Sequence, residues 1–459
     1  MPFSQLSSSR FAANRSAVLS GAAVAALAAL AHLTFYVAVP PRIWLDSHRY
    51  AAWGYGFWEH VAAHEWDLAT PPGFPLFLWM VGRWSNSTAG VVLVQQVLAV
   101  LACLAIWLAI WRAEGPRVAL LAGAIVALSP DRHYYAQSIL NEGLAEFTLA
   151  VGVCLVLVGN RARLSGLVVS RTIAGFFMAA TVLVRPNLGP FLVLLPFIPP
   201  DHRTGERGRP RFVAGLGAGL VAWLLLAPWL YFNAQRGVGG LNGSVGYQLI
   251  GWENDFGVGP RLDLGPLELH TTDVDRQLRK AALERIAQNP ERYAHAAALT
   301  FYGLLIPFPP SGDVGPAVRA AADLPPAVPL PGFPIRAATP RWRWRWACHS
   351  ALSVVYDALL PFSWLGLAWW GWRAARRWSG GPVFVAASSF LCLLALAALL
   401  MRNSRYTQPL EVFALGFGLP FLAVRARSRW SATHPRSGDS VIQSATRSPR
   451  ITVGPPPSK

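Results

Sequence analysis

Charged residues are scarce in this sequence. Asp, Glu, Lys and Arg together make up 14% of its 459 residues, whereas 53% of the residues are hydrophobic. A soluble protein of this length needs far more polar surface, so the soluble globular classes are excluded. The apolar residues come in runs, and roughly 20 helical residues are needed to cross about 30 Å of hydrocarbon. We therefore predict an all-α polytopic membrane protein.

Cysteine is also scarce, and its spacing excludes two further classes. Cys103, Cys154 and Cys392 lie inside apolar runs, and Cys348 lies at the start of one. The sequence has no CxxC pair of the kind that binds zinc and no disulfide framework. We interpret these cysteines as small packing residues.

Acidic residues are outnumbered by basic ones, which gives a net charge of +17. Such a balance is common in nucleic-acid-binding proteins, where the basic residues gather on one face. Here the arginines form short clusters at the ends of apolar runs, which is the pattern of cytoplasmic loops in membrane proteins. We therefore predict membrane lipids as partners and no nucleic acid.

The first apolar run sets the predicted topology. Arg10 and Arg15 precede the run Ala17–Val39, which is longer than the apolar part of a signal peptide. We predict a retained first helix, a cytoplasmic N-terminus and a location in the inner (cytoplasmic) membrane. Following the basic clusters along the chain gives about 10 transmembrane helices. Phe74–Trp84 is too short to span and is predicted as an interfacial helix in the first outer loop.

This topology divides the chain into four predicted parts. They are an N-terminal membrane module (1–232) with an outer loop at 40–88, an extracytoplasmic region (233–350), C-terminal membrane helices (351–430) and a disordered cytoplasmic tail (431–459). The extracytoplasmic region includes an amphipathic helix over Asp273–Gln288.

A carboxylate stands where the first transmembrane helix leaves the bilayer. Asp46 lies in the segment Trp44-Leu45-Asp46-Ser47-His48-Arg49-Tyr50. One interpretation is that Asp46 is the N-cap of an interfacial helix beginning at Ser47, a role in which aspartate is common. The other is a catalytic carboxylate. The two are compatible, because a cap would also fix the direction of the side chain.

Several motifs occur in the same order as in a known superfamily. Asp46-Ser47-x-x-Tyr50 after the first helix, followed by Pro71-Pro72-Gly73-x-Pro75, resembles the glycosyltransferase C superfamily, in particular its protein mannosyltransferases and lipid A aminoarabinose transferases. Four further matches follow along the chain, at Ser138–Glu142, Val184–Asn187, Asn289–Tyr293 and Arg405–Leu410.

The resemblance implies a glycosyltransferase C-type fold and a sugar donor carried on a polyprenyl phosphate. It implies inverting transfer on the outer face of the membrane, with Asp46 as the general base and Glu142 as a second acidic residue. The chemistry agrees, because an attacking hydroxyl must lose its proton to a base. Glu142 has an alternative role as the cap of a helix starting near Gly143.

The departing lipid phosphate needs cations, because its negative charge grows in the transition state. The candidates on the predicted outer face are Arg49, Arg132, His133, Arg185 and Arg405. Arginine suits this role because it stays charged and grips phosphate oxygens in pairs. Arg185 and Arg405 could instead extend from helix ends to the interface.

No cofactor is predicted to be obligatory. Asp46, Glu142 and His48 could hold a divalent cation, but they lack a metal-ligand spacing. Two departures from the superfamily pattern concern the first loop. Ser47 stands where mannosyltransferases carry a second carboxylate, and Thr70 stands where some relatives carry a basic residue that contacts phosphate.

Two other functions fit a polytopic membrane protein. A transporter or lipid flippase would place ionisable residues deep within its spans, whereas the candidates here lie near the outer ends. A non-catalytic membrane subunit would tolerate changes at Asp46. The acceptor remains open between lipid, glycan and protein, and its determinants are expected within residues 233–340.

Overall fold

A computed structural model describes residues 3–66, 70–159, 164–198, 209–241, 243, 245–256, 272–305, 343–377, 379–399 and 407–424. Within these ranges the chain is built of helices joined by short turns, and no β-strand occurs. A single parallel bridge pairs Arg42 with Ser138. The prediction of an all-α protein is confirmed.

The helices of the N-terminal part include long spans and short connecting elements. They are α1 (Phe3–Ala38), α2 (Leu45–Gly54), α3 (Phe57–Ala62), α4 (Gly73–Gly82), α5 (Thr88–Glu114), α6 (Pro116–Ala127), α7 (Pro130–Gln137), α8 (Glu142–Gly159), α9 (Leu164–Val184), α10 (Gly189–Leu194) and α11 (Arg209–Gln235). Short 3₁₀ turns at Pro186–Leu188 and Leu195–Phe197 flank α10.

The C-terminal part continues with three helices of the predicted extracytoplasmic region and three of the membrane region. They are α12 (Val245–Phe256), α13 (Thr272–Gln288), α14 (Pro290–Leu305), α15 (Arg343–Ala375), α16 (Gly380–Ala398) and α17 (Gln408–Phe413), which continues into a π-helical turn at Ala414–Gly418. The amphipathic helix predicted at Asp273–Gln288 is α13, and the helix start predicted at Asn289-Pro290 is the start of α14.

Among the described residues, seven helices are long and apolar enough to cross a membrane, so the chain is a multi-pass membrane protein. These spans are Arg15–Val37, Thr88–Glu114, Glu142–Gly159, Gly166–Val184, Val213–Gln235, Leu352–Ala375 and Gly380–Ala398. Three other predicted spans correspond to shorter apolar helical segments, at Pro116–Ala127, Pro186–Phe197 and Gln408–Val424. The total of about ten crossings stays a prediction, because a straight crossing needs about 20 residues.

One span differs from its prediction at the end that was predicted to be cytoplasmic. Arg171 was expected in the loop before a span starting at Thr172, whereas α9 begins at Leu164 and includes Arg171. Its side chain is 3% exposed, and its Nη1 donates to the carbonyl oxygen of Leu195, 3.4 Å away. A buried arginine is tolerated here because a neighbouring backbone carbonyl accepts its hydrogen bond.

The centre of the bundle is formed by α5, α8 and α9, with α11 against α9 and α1 against α5. Small residues allow the close approach of these helices. A Cβ added to Gly175 would lie 2.3 Å from the carbonyl oxygen of Ala218, so α9 and α11 meet backbone to backbone. Such contacts are typical of helices that associate in lipid.

Candidate active site

The first helix of the predicted outer loop is α2, which carries Asp46 as its second residue. The helix starts two residues earlier than predicted, and its N-cap residue is Trp44. The backbone N–H of Trp44 donates to Ser47 Oγ at 2.9 Å. The interpretation of Asp46 as the N-cap is therefore wrong, since Asp46 lies within the first helical turn. A carboxylate there is favoured by the positive end of the helix dipole.

Ser47 connects this loop to the segment before α8. Its side chain is fully buried, and its Oγ donates to the carbonyl oxygen of Ile139 at 2.8 Å. Just before α2, the Arg42 N–H donates to the Gln137 carbonyl oxygen at 2.9 Å, and the Ile139 N–H donates to the Arg42 carbonyl oxygen at 3.0 Å. These bonds hold the start of the outer loop against residues 137–139, three residues before Glu142.

Glu142 and Arg185 form a buried ion pair. Arg185 Nη2 lies 2.9 Å from Glu142 Oε1, and the two side chains are 4% and 0% exposed. Asn141 Nδ2 also donates to the carbonyl oxygen of Val184, at 3.1 Å. The acidic motif that opens α8 and the Arg-Pro motif that ends α9 thus meet. Charge-assisted hydrogen bonds compensate part of the cost of burying both charges.

The Pro-Pro-Gly element meets the same place. A Cβ on Gly73 would lie 2.8 Å from the backbone carbonyl group of Leu183, two residues before Arg185. The ring of Phe74, the next residue, lies edge-on to Tyr50 of α2, with 5.1 Å between centroids. Four of the motifs quoted from the sequence therefore converge at one end of the bundle.

Asp46 forms a partly exposed ion pair at this convergence. Arg49 Nη2 lies 3.1 Å from Asp46 Oδ1, one turn along α2, and the side chains are 28% and 20% exposed. The Arg49 guanidinium also lies 5.7 Å from the centroid of the Tyr50 ring. Carboxylate and guanidinium are thus side by side and reachable by solvent, as proton transfer and phosphate binding require. His48, the other possible metal ligand in this loop, is half-buried.

Two predicted phosphate ligands lie inside the bundle. Arg132 is 3% exposed, and its guanidinium pairs with Glu146 and donates to the carbonyl oxygens of Val126 and Ala99, both at 2.8 Å. His133 is 7% exposed, and its Nε2 lies 2.9 Å from the Ala127 carbonyl oxygen. Both side chains were expected at the outer surface, whereas the structure buries them. Their burial is possible because the Glu146 carboxylate and nearby backbone carbonyl groups form hydrogen bonds with them. Their binding of phosphate stays a prediction.

Burial also perturbs the acidic residue beside them. Asp131 precedes Arg132 in α7, and burial raises the pKa of its carboxyl to about 6. A carboxyl with this pKa changes its charge within the physiological range.

Several polar residues that position the site were not predicted from the sequence. Gln95 Nε2 donates to the carbonyl oxygens of Ser138 and Leu140, at 3.0 and 3.1 Å. Gln96 Nε2 donates to Gln137 Oε1 at 2.7 Å. Both glutamines lie in the apolar run of α5, and this contrast is the signal that would have found them, since polar groups are costly inside a membrane.

Thr70 and the Arg405–Leu410 motif are the remaining parts of the predicted site. Thr70 is 2% exposed, and its carbonyl oxygen accepts a hydrogen bond from Trp66 Nε1 at 2.7 Å. Arg405 lies outside the described residues. The chain resumes at Thr407, and Gln408 Nε2 donates to Glu146 Oε2 at 2.6 Å, so the start of α17 lies against α8.

A metal site was left open by the sequence. In the part of the chain that the structure describes, no group of three or more His, Cys, Asp and Glu side chains is close enough to hold a metal ion. Glu142 is engaged by Arg185, and Asp46 is engaged by Arg49. The contacts of both carboxylates are thus to arginines, which compete with a cation for the same oxygens.

No family model matches the chain, and no curated protein matches it. Among solved structures it is similar to the oligosaccharyltransferase AglB from Archaeoglobus fulgidus in complex with an inhibitory peptide and a dolichol-phosphate. The identity is 12%, with 93% of this chain and 52% of that chain covered and a TM-score of 0.45. The AglB structure with Zn and sulfate gives 13% identity, coverage of 92% and 51%, and a TM-score of 0.46.

The chain is also similar to ArnT from Cupriavidus metallidurans bound to undecaprenyl phosphate. The identity is 14%, with 89% of this chain and 79% of that chain covered and a TM-score of 0.35. AglB and ArnT are membrane glycosyltransferases of the glycosyltransferase C superfamily. The chain spans about half the length of the oligosaccharyltransferase. At this identity and TM-score, activity and substrates have to be inferred from the residues of this chain.

Proposed function

We propose that the protein is a membrane glycosyltransferase that moves a sugar from a polyprenyl-phosphate donor to an extracytoplasmic acceptor with inversion. The observation that carries the proposal is the partly exposed Asp46–Arg49 pair, located where four motifs meet. Behind it the buried Glu142–Arg185 pair fixes the ends of two spans. The same motifs, in the same order, gave the resemblance to the glycosyltransferase C superfamily.

The proposed reaction assigns one task to each member of the exposed pair. Asp46 takes the proton of the acceptor hydroxyl as its oxygen bonds to the anomeric carbon of the sugar. The bond between that carbon and the phosphate oxygen breaks, and the electron pair leaves with the polyprenyl phosphate. Arg49, 3.1 Å from Asp46, stabilises the growing phosphate charge.

For Glu142 and Arg185 the geometry supports positioning roles. At 0% and 4% exposure, neither side chain offers a polar group to a substrate at the surface. Their pairing fixes the start of α8 relative to the end of α9. Asn141, next to Glu142, donates to the Val184 carbonyl oxygen, and Leu183, two residues before Arg185, lies against Gly73. Direct roles in catalysis for Glu142 and in phosphate binding for Arg185 and Arg405 remain predictions.

The transporter alternative is distinguished by where the charges lie. Within the seven spans, the deepest acidic residues are Glu146 and Asp357, four and five residues after the spans begin at Glu142 and Leu352. Both are therefore within about two turns of the predicted outer surface. A transport pathway would place ionisable groups near the middle of the bilayer.

The test is sugar transfer in membranes supplied with a panel of radiolabelled polyprenyl-phosphate sugars. We expect transfer by the wild type from at least one donor, and its loss in Asp46→Asn. The matched control is Asp273→Asn on α13, because Asp273 also pairs with an arginine three residues later, at 2.9 Å, but is 74% exposed. Wild-type transfer by a folded Asp46→Asn protein would refute the proposed base.

The cofactor and acceptor proposals have separate readouts. No obligatory metal is proposed, so sugar transfer should persist in the presence of a chelator. Loss of transfer in the chelator, followed by recovery when Mg²⁺ or Mn²⁺ is added, would contradict this proposal. The acceptor is proposed to contact the extracytoplasmic helices α12–α14. Supplying a lipid, a glycan or a protein acceptor in turn to the same transfer assay would show which class receives the sugar.

A further inference from the structure

An apolar groove lies on the side of the bundle, far along the spans from Asp46. Its volume is about 640 Å³, and it lies between α1, α5 and α8. The residues that line it include Leu104 and Leu108 of α5, Ala22 and Ala25 of α1, and Leu155 of α8. This volume is within the range of about 300–1,000 Å³ that is common for ligand sites.

The groove opens towards the lipid. Only 28% of the α1 span is buried inside the bundle, so α1 is a peripheral helix. Gly21 shapes the groove, because a Cβ there would lie 2.7 Å from Trp107 Cη2, and its absence lets the indole ring approach α1. Water gains nothing by filling such an apolar surface, whereas a hydrocarbon chain makes dispersion contacts along it.

Two arginines stand at one end of the groove. Arg15 is three residues before Val18, and Arg112 is four residues after Leu108, so each lies on the helix face that lines the groove. Both side chains are exposed. The groove is thus apolar along its length and positive at its end.

We propose that this groove binds an anionic phospholipid of the cytoplasmic leaflet, with one acyl chain in the groove and the phosphate between Arg15 and Arg112. The α1 wall extends from Val18 to Ala25, which corresponds to about 10 Å of helix. That length fits within one leaflet, which is about half of the 30 Å hydrocarbon core. The predicted topology puts both arginines on the cytoplasmic side, where anionic headgroups attract basic residues.

The test is native mass spectrometry of the full-length, delipidated protein in detergent, titrated with phosphatidylglycerol or with phosphatidylcholine of the same chains. One arginine near a membrane surface changes binding by about fivefold. We expect phosphatidylglycerol to bind more tightly, and the double variant Arg15→Gln, Arg112→Gln to weaken it about 25-fold and abolish the preference. Arg117→Gln, an exposed arginine at the start of α6, should have no effect.

A second variant tests the groove itself. Ala22→Trp should fill it and weaken binding of both lipids, whereas Ala26→Trp, an exposed α1 position outside the lining, should not. Retention of the phosphatidylglycerol preference in the double arginine variant would overturn the proposal. Competition by inorganic phosphate alone, or tighter binding of undecaprenyl phosphate than of phosphatidylglycerol, would also overturn it. The arginines are exposed, so their variants keep the test valid if Ala22→Trp fails to fold.

Discussion

Removing both partners of the Glu142–Arg185 pair should destabilise the protein by less than the sum of the two single removals. Arg185→Met leaves the Glu142 carboxylate, which is 0% exposed, without its guanidinium at 2.9 Å. Breaking a buried ion pair from one side costs about 3–5 kcal/mol. Glu142→Gln keeps an oxygen for Arg185 but leaves a buried cation, at a cost of about 1–3 kcal/mol. The double variant has no buried charge at this position.

The assay is a double-mutant cycle on detergent-solubilised protein, unfolded with increasing SDS. Residues in direct contact show interaction energies of about 0.5–3 kcal/mol. For this pair we expect about 2–3 kcal/mol, with the double variant more stable than the sum of the single changes predicts. The control cycle is Asp273→Asn with Arg276→Met, an exposed pair at 2.9 Å, which should show less than about 1 kcal/mol.

The cycle distinguishes a positioning role from a direct one. A double variant that is stable but inactive in sugar transfer would show that the pair contributes more than rigidity. If Arg185→Met alone is as stable as the wild type, the pair does not hold the spans together, and the positioning role is refuted.

Three further changes test the surroundings of the site. Ser47→Ala removes one donor and one acceptor from buried backbone groups, so the thermal midpoint should fall with a loss of about 2 kcal/mol or more, and an unchanged midpoint would contradict this link. Gly73→Ala should lower the free energy of unfolding by about 1–3 kcal/mol, because the added Cβ meets backbone atoms at 2.8 Å. Gly82→Ala should have no such cost, because nothing lies within 4 Å of its added Cβ. Equal thermal midpoints for the two variants would refute the close contact at Gly73. Glu253 is fully buried, and burial raises its pKa from 4.5 to about 7, so its contribution to stability is full below pH 4.5 and is lost as the pH rises to about 7. Glu253→Gln should therefore flatten the pH dependence of the thermal midpoint between pH 5 and 8, while exposed Glu284→Gln should leave it as in the wild type, and a slope unchanged by Glu253→Gln would contradict the pKa.

The membrane spans were largely predictable from the sequence, because the hydrocarbon core imposes a length and a composition on each crossing. The run predicted at Ala89–Trp111 is the helix Thr88–Glu114, and the run predicted at Leu144–Val158 is Glu142–Gly159. Apart from the spans, the amphipathic pattern of α13 was equally informative. Helix ends were less predictable, as the inclusion of Arg171 in α9 shows, because they depend on partners in other helices.

The predicted topology placed Asp46, Glu142 and Arg185 on one outer face, but it did not predict their individual contacts. The burial of Arg132 depends on Glu146, which is 14 residues away and pairs with it only once α7 folds back against α8. The role of Ser47 depends on the carbonyl oxygen of Ile139, 92 residues away. Long-range contacts of this kind leave no periodicity in a single sequence. The Asp46–Arg49 pair is different, since a spacing of three residues predicts it on any helix.

Single-turnover kinetics with a preloaded donor test whether Asp46 takes a proton during transfer. We expect Asp46→Asn to lower the transfer rate by about 10²–10⁴-fold, the usual contribution of a general base. Donor affinity should stay close to that of the wild type, because Arg49 is still present on α2. A normal rate of transfer with weakened donor binding would refute the role of Asp46 as a base and would make it a residue that only positions Arg49.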